Sequence, residues 1–420
     1  MRVCPCSTRT MRTASGQQAR CEHHHASTSP RSTHHVINPN PADIGQRVQR
    51  LRHANGLSQA DLADHAGIPA GVVSMVEHGR QSLEAGALDR VANALACTTD
   101  YLTGLRAEPV STRPWLRAYA DAPKRTVDKY VSDTETAIDT FEALGLAFYP
   151  ESLPVFGEDL NDEGAIEDFA ADVRRAAGLD DGDVVGNCIR RTERLGVVVL
   201  PMDDELGRHL GLSLRVNTTP VIRVSRPRLS QTGDTSPPGD RQRFTVAHEL
   251  GHLTLHATTP PPASAVEARL IEQQAHRFAG AFLAPAEPLL ADLGKLGGRV
   301  TLSTLADLKK TWGVAIKMLV VRLRQLGQID DNHARSLYKQ ISARKWNTSE
   351  PVHVGHEHAI WLDKALTKAK VPTSNADGAA GLAPRYLHAW LGWEPQTPEI
   401  KNLPDGVIPL QHRRERSKVC

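Results

Sequence analysis

The sequence predicts an α+β protein, mostly helical. An all-α N-terminal module precedes a domain built on a small, partly antiparallel sheet. Three observations lead there. Residues 43–104 break into four or five short helices separated by tight turns. Two β-branched runs, "VVVLPM" and "PVIRVS", read as short strands. Beyond them, amphipathic helical patterns return and continue through about residue 345, with further apolar helical pieces such as "RYLHAWLGW" in a C-terminal extension.

At 420 residues the chain exceeds one ordinary domain. The expected divisions are a disordered tail at 1–36, a helical module at 37–106 and a connector at 107–162. A larger α+β domain follows at 163–350, then a helical extension at 351–420. The formal charge of +2 singles out no partner. No apolar run is long enough for a membrane span, and no apolar core follows Arg2 and Arg12 to make a secretory signal. Six scattered cysteines do not form a disulfide framework, so a reduced, cytoplasmic protein is expected.

Taken in order, residues 1–36 are rich in Ser, Thr, Arg and His and nearly devoid of aliphatics, too polar to bury a core. Their "CPC", Cys21 and "HHH" match no zinc-module spacing, and Met11 is an alternative start. "DIGQRVQRLRHANG" places Ile44, Val48 and Leu51 on one helical face and stops at "NG". "LSQADLADHAG" starts at a Ser58 N-cap and stops at Gly67. "IPAGVVSMVEHGR" is a third short helix with Pro69 suited to its first turn, and "LEAGALDRVANALACTTDYLTG" supplies the fourth and fifth. "EDFAADVRRAAGL" and "GNCIRRTERLG" read as helices. "LSQTGDTSPPGDRQ" reads as a loop by its Gly, Pro and Ser.

The stretch "RQRFTVAHELGHLTLH" then carries chemistry. On a helix, residues four apart share a face, so His248 and His252 aim two imidazoles at one place. That is the spacing a tetrahedral metal needs, and Glu249 projects beside it. Five letters can arise by chance; a third ligand decides. Glu272, on the amphipathic helix expected at 264–283, is the candidate, with Glu267 the rival. Two His and one Glu would leave one position open, as catalytic zinc sites require. His276, one turn after Glu272, and His256, continuing the four-residue series, are placed to hydrogen-bond and orient a ligand rather than to hold the metal. A zinc ion there would activate water and polarise a peptide carbonyl, with Glu249 as the proton carrier. The strand "VIRVS" is expected to receive an extended peptide along its edge.

These residues, with "EQQAHRFAGAFLAP", "LSTLADLKKTWGVAIKMLVVRLRQLGQID" and "SARKWNTSEP", resemble the ImmA/IrrE family of metallo-endopeptidases over about 163–350. The resemblance implies a zincin-like domain with zinc ligands at His248, His252 and Glu272 and a catalytic glutamate at Glu249. It also implies a protein substrate, a partner repressor of the helix-turn-helix type. His276 stands where many members have Asn or Asp.

Residues 43–104 resemble the Cro/C1-type (XRE) helix-turn-helix domain. Its third helix reads double-stranded DNA. By position Gln59, Ala70, Gly71, Val72 and Ser74 would face the bases, and Arg80, Arg47 and Arg50 the phosphates. The reading face is poor. Ala and Gly cannot hydrogen-bond base edges. Five arginines and no lysine stand against seven acids, a net −2 where phosphate binding wants a basic footprint. The expected function is therefore a zinc endopeptidase acting on a partner regulator and joined to a DNA-binding domain, with a homodimer one arrangement such a domain allows. The alternative is a transcriptional regulator or antitoxin-like protein whose peptidase-like domain senses or docks.

Overall fold

The computed structural model describes residues 40–114, 123–203, 210–229, 235–372 and 380–394. The His- and Cys-bearing tail and the basic end "RRERSK" lie outside them. The N-terminal helices form where expected. Helix α1 (Pro41–Ala54) starts at an Asn40 cap. Helix α2 (Gln59–Ala66) begins with a reciprocal capping box between Ser58 and Asp61 and ends at Gly67 in the left-handed region, φ 62°. Helix α3 (Ala70–Glu77) follows a Pro69 that occupies the N-cap rather than the first turn. Helices α4 (Ala85–Ala94) and α5 (Thr99–Thr103) complete the module.

Val48, Leu51, Leu62, Val73, Val91, Leu95 and Leu102 form its core. One buried ion pair locks α1 to α3: Arg52 Nη2 donates to Glu77 Oε2 at 2.9 Å, and both side chains are buried. Removing one partner of such a pair typically costs about 3–5 kcal/mol, because the other charge is left desolvated.

The connector is structured on both sides of residues 115–122. Helix α6 (Lys124–Ala143) packs along α1 and against the sheet. Before it, Glu108 accepts from Arg47 and Arg50, and Arg47 also donates to the carbonyls of Leu102, Gly104 and Arg106. Both arginines are buried. The expectation that they meet DNA phosphates therefore fails. They hold the connector to α1.

The sheet has strand order β1-β3-β2. Strand β1 (Val198–Met202) runs parallel to β3 (Thr219–Ser225), and β2 (Gly211–Val216) antiparallel to it. The "GLSLRV" of β2 was not read as a strand from sequence. Asn217, at φ 53°, supports the two-residue turn into β3. Alternation assigns the faces. Val198, Leu200, Leu214 and Val221 join the core of the N-terminal module and α6. Val199, Ile222 and Val224 join the second core. With both faces covered, β1 reads as a continuous apolar run.

Helices α7 (Glu163–Ala176) and α8 (Cys188–Arg194) precede the sheet, and a ribbon of β4 (Arg228–Leu229) and β5 (Thr235–Ser236) follows it. Next come α9 (Gly239–Leu255), α10 (Ala265–Leu283), α11 (Ala286–Lys295), α12 (Leu302–Trp312), α13 (Ile316–Gln325) and α14 (Asp331–Ala343). Helix α9 begins inside the stretch expected to be loop. In the C-terminal extension, α15 (Trp361–Ala369) and α16 (Pro384–Leu391) bury Trp361, Leu366, Tyr386 and Trp390 in the core shared by the N-terminal module and the sheet. The Tyr386 hydroxyl donates to the Leu95 carbonyl at 2.7 Å. Among the described residues, no helix is long and apolar enough to cross a membrane.

Candidate metal centre

Helix α9 lies over the sheet and crosses α10 closely, and two glycines set these approaches. A Cβ on Gly251, between the two histidines, would stand 2.9 Å from the Phe278 ring of α10. A Cβ on Gly211 would stand 2.6 Å from Thr245 and 3.2 Å from the Glu249 side chain. Only hydrogen at these positions lets α10 and β2 reach the helix. The far end of α9 is braced by charge. Arg243 pairs with Glu357 at 2.7 Å, and Gln242 exchanges two hydrogen bonds with the Glu357 backbone. Lys309 bridges Asp240 and Glu350, and Glu350 also accepts from the Ile316 amide. That is a structural use for the glutamate of "SARKWNTSEP".

Three of the residues singled out in the sequence converge. His248 Nε2 and His252 Nε2 are 3.1 Å apart. Glu272 places Oε2 3.5 Å from His248 Nε2 and Oε1 3.5 Å from His252 Nε2. Ligands about 2.0–2.1 Å from a tetrahedral centre stand about 3.3 Å apart, so this triangle of donors fits one small cation. His248 Nδ1 is buried and has no hydrogen-bond partner among the described residues. Glu267 is elsewhere: it accepts from the Ala263 amide at the start of α10.

His276 lies closer to the site than an outer partner would. It offers a ring nitrogen within 4.8 Å of donors on His248 and Glu272, while its Nδ1 meets the Glu272 carbonyl at 2.7 Å. It is exposed at the rim. Phe244 flanks the site, its ring centroid 5.5 Å from that of His276. His256 is fully buried beneath His252, with Nδ1 to Nδ1 3.0 Å.

Glu249, next to His248 on α9, is buried. Its Oε2 accepts from the Ser213 hydroxyl of β2 at 2.7 Å. Burial pushes its carboxyl up to about 7, against the pull of His248 and Ser213. Burial also pushes His252 down to about 3 and His256 to about 4, so both rings are neutral and able to act as ligands or acceptors. Burial pushes Glu272 up, but its bonds to His248 and His252 outweigh that and hold it well below the usual carboxylate range. Sequence reading missed Ser213. Its only signal is a hydroxyl between two leucines of a short strand.

One expectation is overturned. "VIRVS" is the central strand, hydrogen-bonded to β1 and β2, so it has no edge to offer a peptide. The strand beside the site with an outer edge is β2. The far half of that edge is taken by the connector: the Thr112 amide donates to the Arg215 carbonyl at 2.8 Å, and the Asn217 amide to Val110 at 2.7 Å. Two cavities adjoin the site. One of about 320 Å³ is lined by Phe244, His276, Met318 and Val321. The other, about 470 Å³, lies toward His256, Leu253 and Pro261.

The residues proposed for DNA are spread unevenly. Gln59 is not directed outward: its amide donates to Glu77 at 2.8 Å, inside the Arg52–Glu77 pair. Ala70, Gly71 and Arg80 are exposed, and Val72 and Ser74 half-buried. Met75, not anticipated, adds to the exposed apolar face of α3.

Two regions of the chain are similar to known domains. Residues 192–324 match the IrrE N-terminal-like domain of the M78 peptidases, and residues 43–122 match a helix-turn-helix domain. The chain is 34% identical over 96 residues to an uncharacterised transcriptional regulator in the ATPase CF(0) region of Rhodospirillum rubrum. That match covers 22% of this chain and 85% of that protein. No solved structure matches the chain.

Proposed function

The chain belongs to the helix-turn-helix regulators and joins that domain to an IrrE-like peptidase domain, and from this premise we propose that it is a zinc endopeptidase that cleaves a partner regulator. The observation that carries the reading is the convergence of His248, His252 and Glu272 with a buried carboxyl, Glu249, beside them. A zinc ion held by the three ligands would supply Lewis-acid activation of water and of the scissile carbonyl.

The chain's own residues supply the rest. Glu249, desolvated and held by Ser213, takes a proton from the attacking water and returns it to the leaving amine. Its raised pKa suits both directions of transfer near neutral pH. A substrate strand would pair with the outer edge of β2, next to Ser213. The recess at Phe244, Met318 and Val321 would take an apolar side chain near the scissile bond. His276 at the rim is placed to hydrogen-bond the substrate backbone or the departing product.

The helix-turn-helix domain would bring the enzyme to DNA or to a regulator of the same class. With Arg47 and Arg50 buried and Gln59 engaged, DNA contact falls to Arg80 and the face of Ala70, Gly71, Val72 and Ser74. That face predicts weak sequence discrimination. A second reading, a DNA-binding regulator whose peptidase-like domain only senses or docks, draws support from the name of the Rhodospirillum rubrum relative.

One experiment separates them. Candidate regulators from neighbouring genes are co-expressed with wild type or with Glu249→Gln. Site-specific cleavage by wild type alone supports the protease. A regulatory effect that survives Glu249→Gln unchanged supports the second reading.

A further inference from the structure

We propose that Gln274 is a positioning residue that selects, through His256, which nitrogen of His252 carries the proton, so that the other presents its lone pair to the metal. This rests on the reading of His252 as a ligand. The argument starts at a backbone carbonyl. The Gln274 side-chain nitrogen lies 2.9 Å from the Leu160 oxygen. A carbonyl only accepts, so the amide must turn its nitrogen to Leu160 and its oxygen the other way. That oxygen is 3.1 Å from His256 Nε2. It too only accepts, so the His256 proton is on Nε2.

His256 is fully buried with its ring between the Gln274 amide and His252, a setting that disfavours a charged imidazolium, and a neutral imidazole has one proton. Its Nδ1 is therefore an acceptor. The atom it faces at 3.0 Å is His252 Nδ1, which must donate. His252 then carries its proton on Nδ1. Its Nε2 lone pair points to the place shared with His248 and Glu272.

The chain Leu160, Gln274, His256, His252 thus transmits one donor–acceptor choice across four residues. A ligating histidine usually has its second nitrogen fixed by a carboxylate or carbonyl. Here a second histidine does it, and that ring is ambiguous until Gln274 orients it. Gln274 is on α10, two positions from Glu272, so the helix that brings the carboxylate also sets the tautomer of the facing histidine.

The test measures zinc affinity and tautomer, with no peptide cleavage. In the full-length protein, Gln274→Met keeps the bulk and removes the acceptor. Zinc dissociation constants from chelator competition are expected to rise about 10–100-fold in Gln274→Met. Nitrogen-15 NMR of the zinc-free protein is expected to show the His252 proton on Nδ1 in wild type and on Nε2, or divided, in Gln274→Met.

The thermal midpoint of the zinc-free proteins separates this from simple damage to packing. If Gln274→Met does not fold, the wild-type tautomer decides. A His252 proton on Nε2 in wild type overturns the proposal, as does unchanged zinc affinity in a folded Gln274→Met. A protein that binds zinc but cuts nothing would defeat the protease reading and leave this inference standing.

Discussion

Helices α9 and α3 are two elements of this protein that sequence reading marks for function, and they are prepared in opposite ways. Helix α9 is buried along most of its length. Its two inward histidines are backed by His256, faced by Glu272 and flanked by a Glu249 that Ser213 holds. Helix α3 is half as long. Its buried side is secured by the Arg52–Glu77 pair, and its outer side offers methyl groups, a glycine and a methionine. Metal chemistry needs donors fixed to within a few tenths of an ångström. The fold supplies that on α9 by packing and second-layer hydrogen bonds. Base reading needs outward polar side chains, and α3 has few. On the proposed reading, the peptidase-like domain would carry the chemical specificity and the helix-turn-helix domain would mainly locate it.

The hardest test of that contrast is removal of a ligand. His252→Ala should take bound zinc from about one per chain to none by atomic emission, as a three-ligand site reduced to two loses its hold. The protein should remain folded, since Leu250, Phe278 and Phe282 are buried in the core beside the site and need no metal to pack. Full zinc occupancy in the mutant would mean that His276, within reach of the same donors, is a ligand in its place.

Next in size, Glu249→Gln should lower cleavage by about 10²–10⁴-fold, the usual contribution of a positioned acid–base group, while zinc stays bound. Cleavage by the mutant at near wild-type rate would leave α9 a metal-binding helix without the proton carrier assigned to it.

Some of this was legible in the sequence and some was not, for one physical reason. Features that depend on neighbours in the chain could be read. The four-residue spacing of His248 and His252, the Ser58 N-cap and the stop at Gly67 are local, and each formed. Glu272 was legible because it sits on a helix whose apolar stripe had to face α9. Ser213, Gln274 and Glu357 were not legible. Each acts on a residue 18 to 115 positions away, through contacts that only the folded chain creates. Arg47 and Arg50 misled for the same reason. Their charge suggested solvent and phosphate, but Glu108, Asp139 and backbone carbonyls bury them. Strand β2 escaped because its alternation is short and begins at a glycine that packing, not strand propensity, requires.

The same substitution in both helices turns the comparison into a sign. A methyl added at Gly251 meets the Phe278 ring at 2.9 Å, and the helices must separate to admit it. Gly251→Ala should lower stability by about 1–3 kcal/mol, the range for overpacking a tight core. Because α10 carries Glu272, it should weaken zinc binding as well.

A methyl at Gly71 meets nothing within 4 Å. The position is exposed, helical and without positive φ. Gly71→Ala should therefore raise stability by up to about 1 kcal/mol, through the lower entropy of the unfolded chain and the better helix propensity of alanine. Denaturant melts of the two variants beside wild type would show midpoints displaced in opposite directions. Binding of Gly71→Ala to DNA should change little, because glycine makes no side-chain contact that alanine loses. A large loss of DNA affinity in that variant would mean that backbone at Gly71 approaches the duplex closely. Helix α3 would then read DNA by shape, with its lack of polar side chains part of the fit.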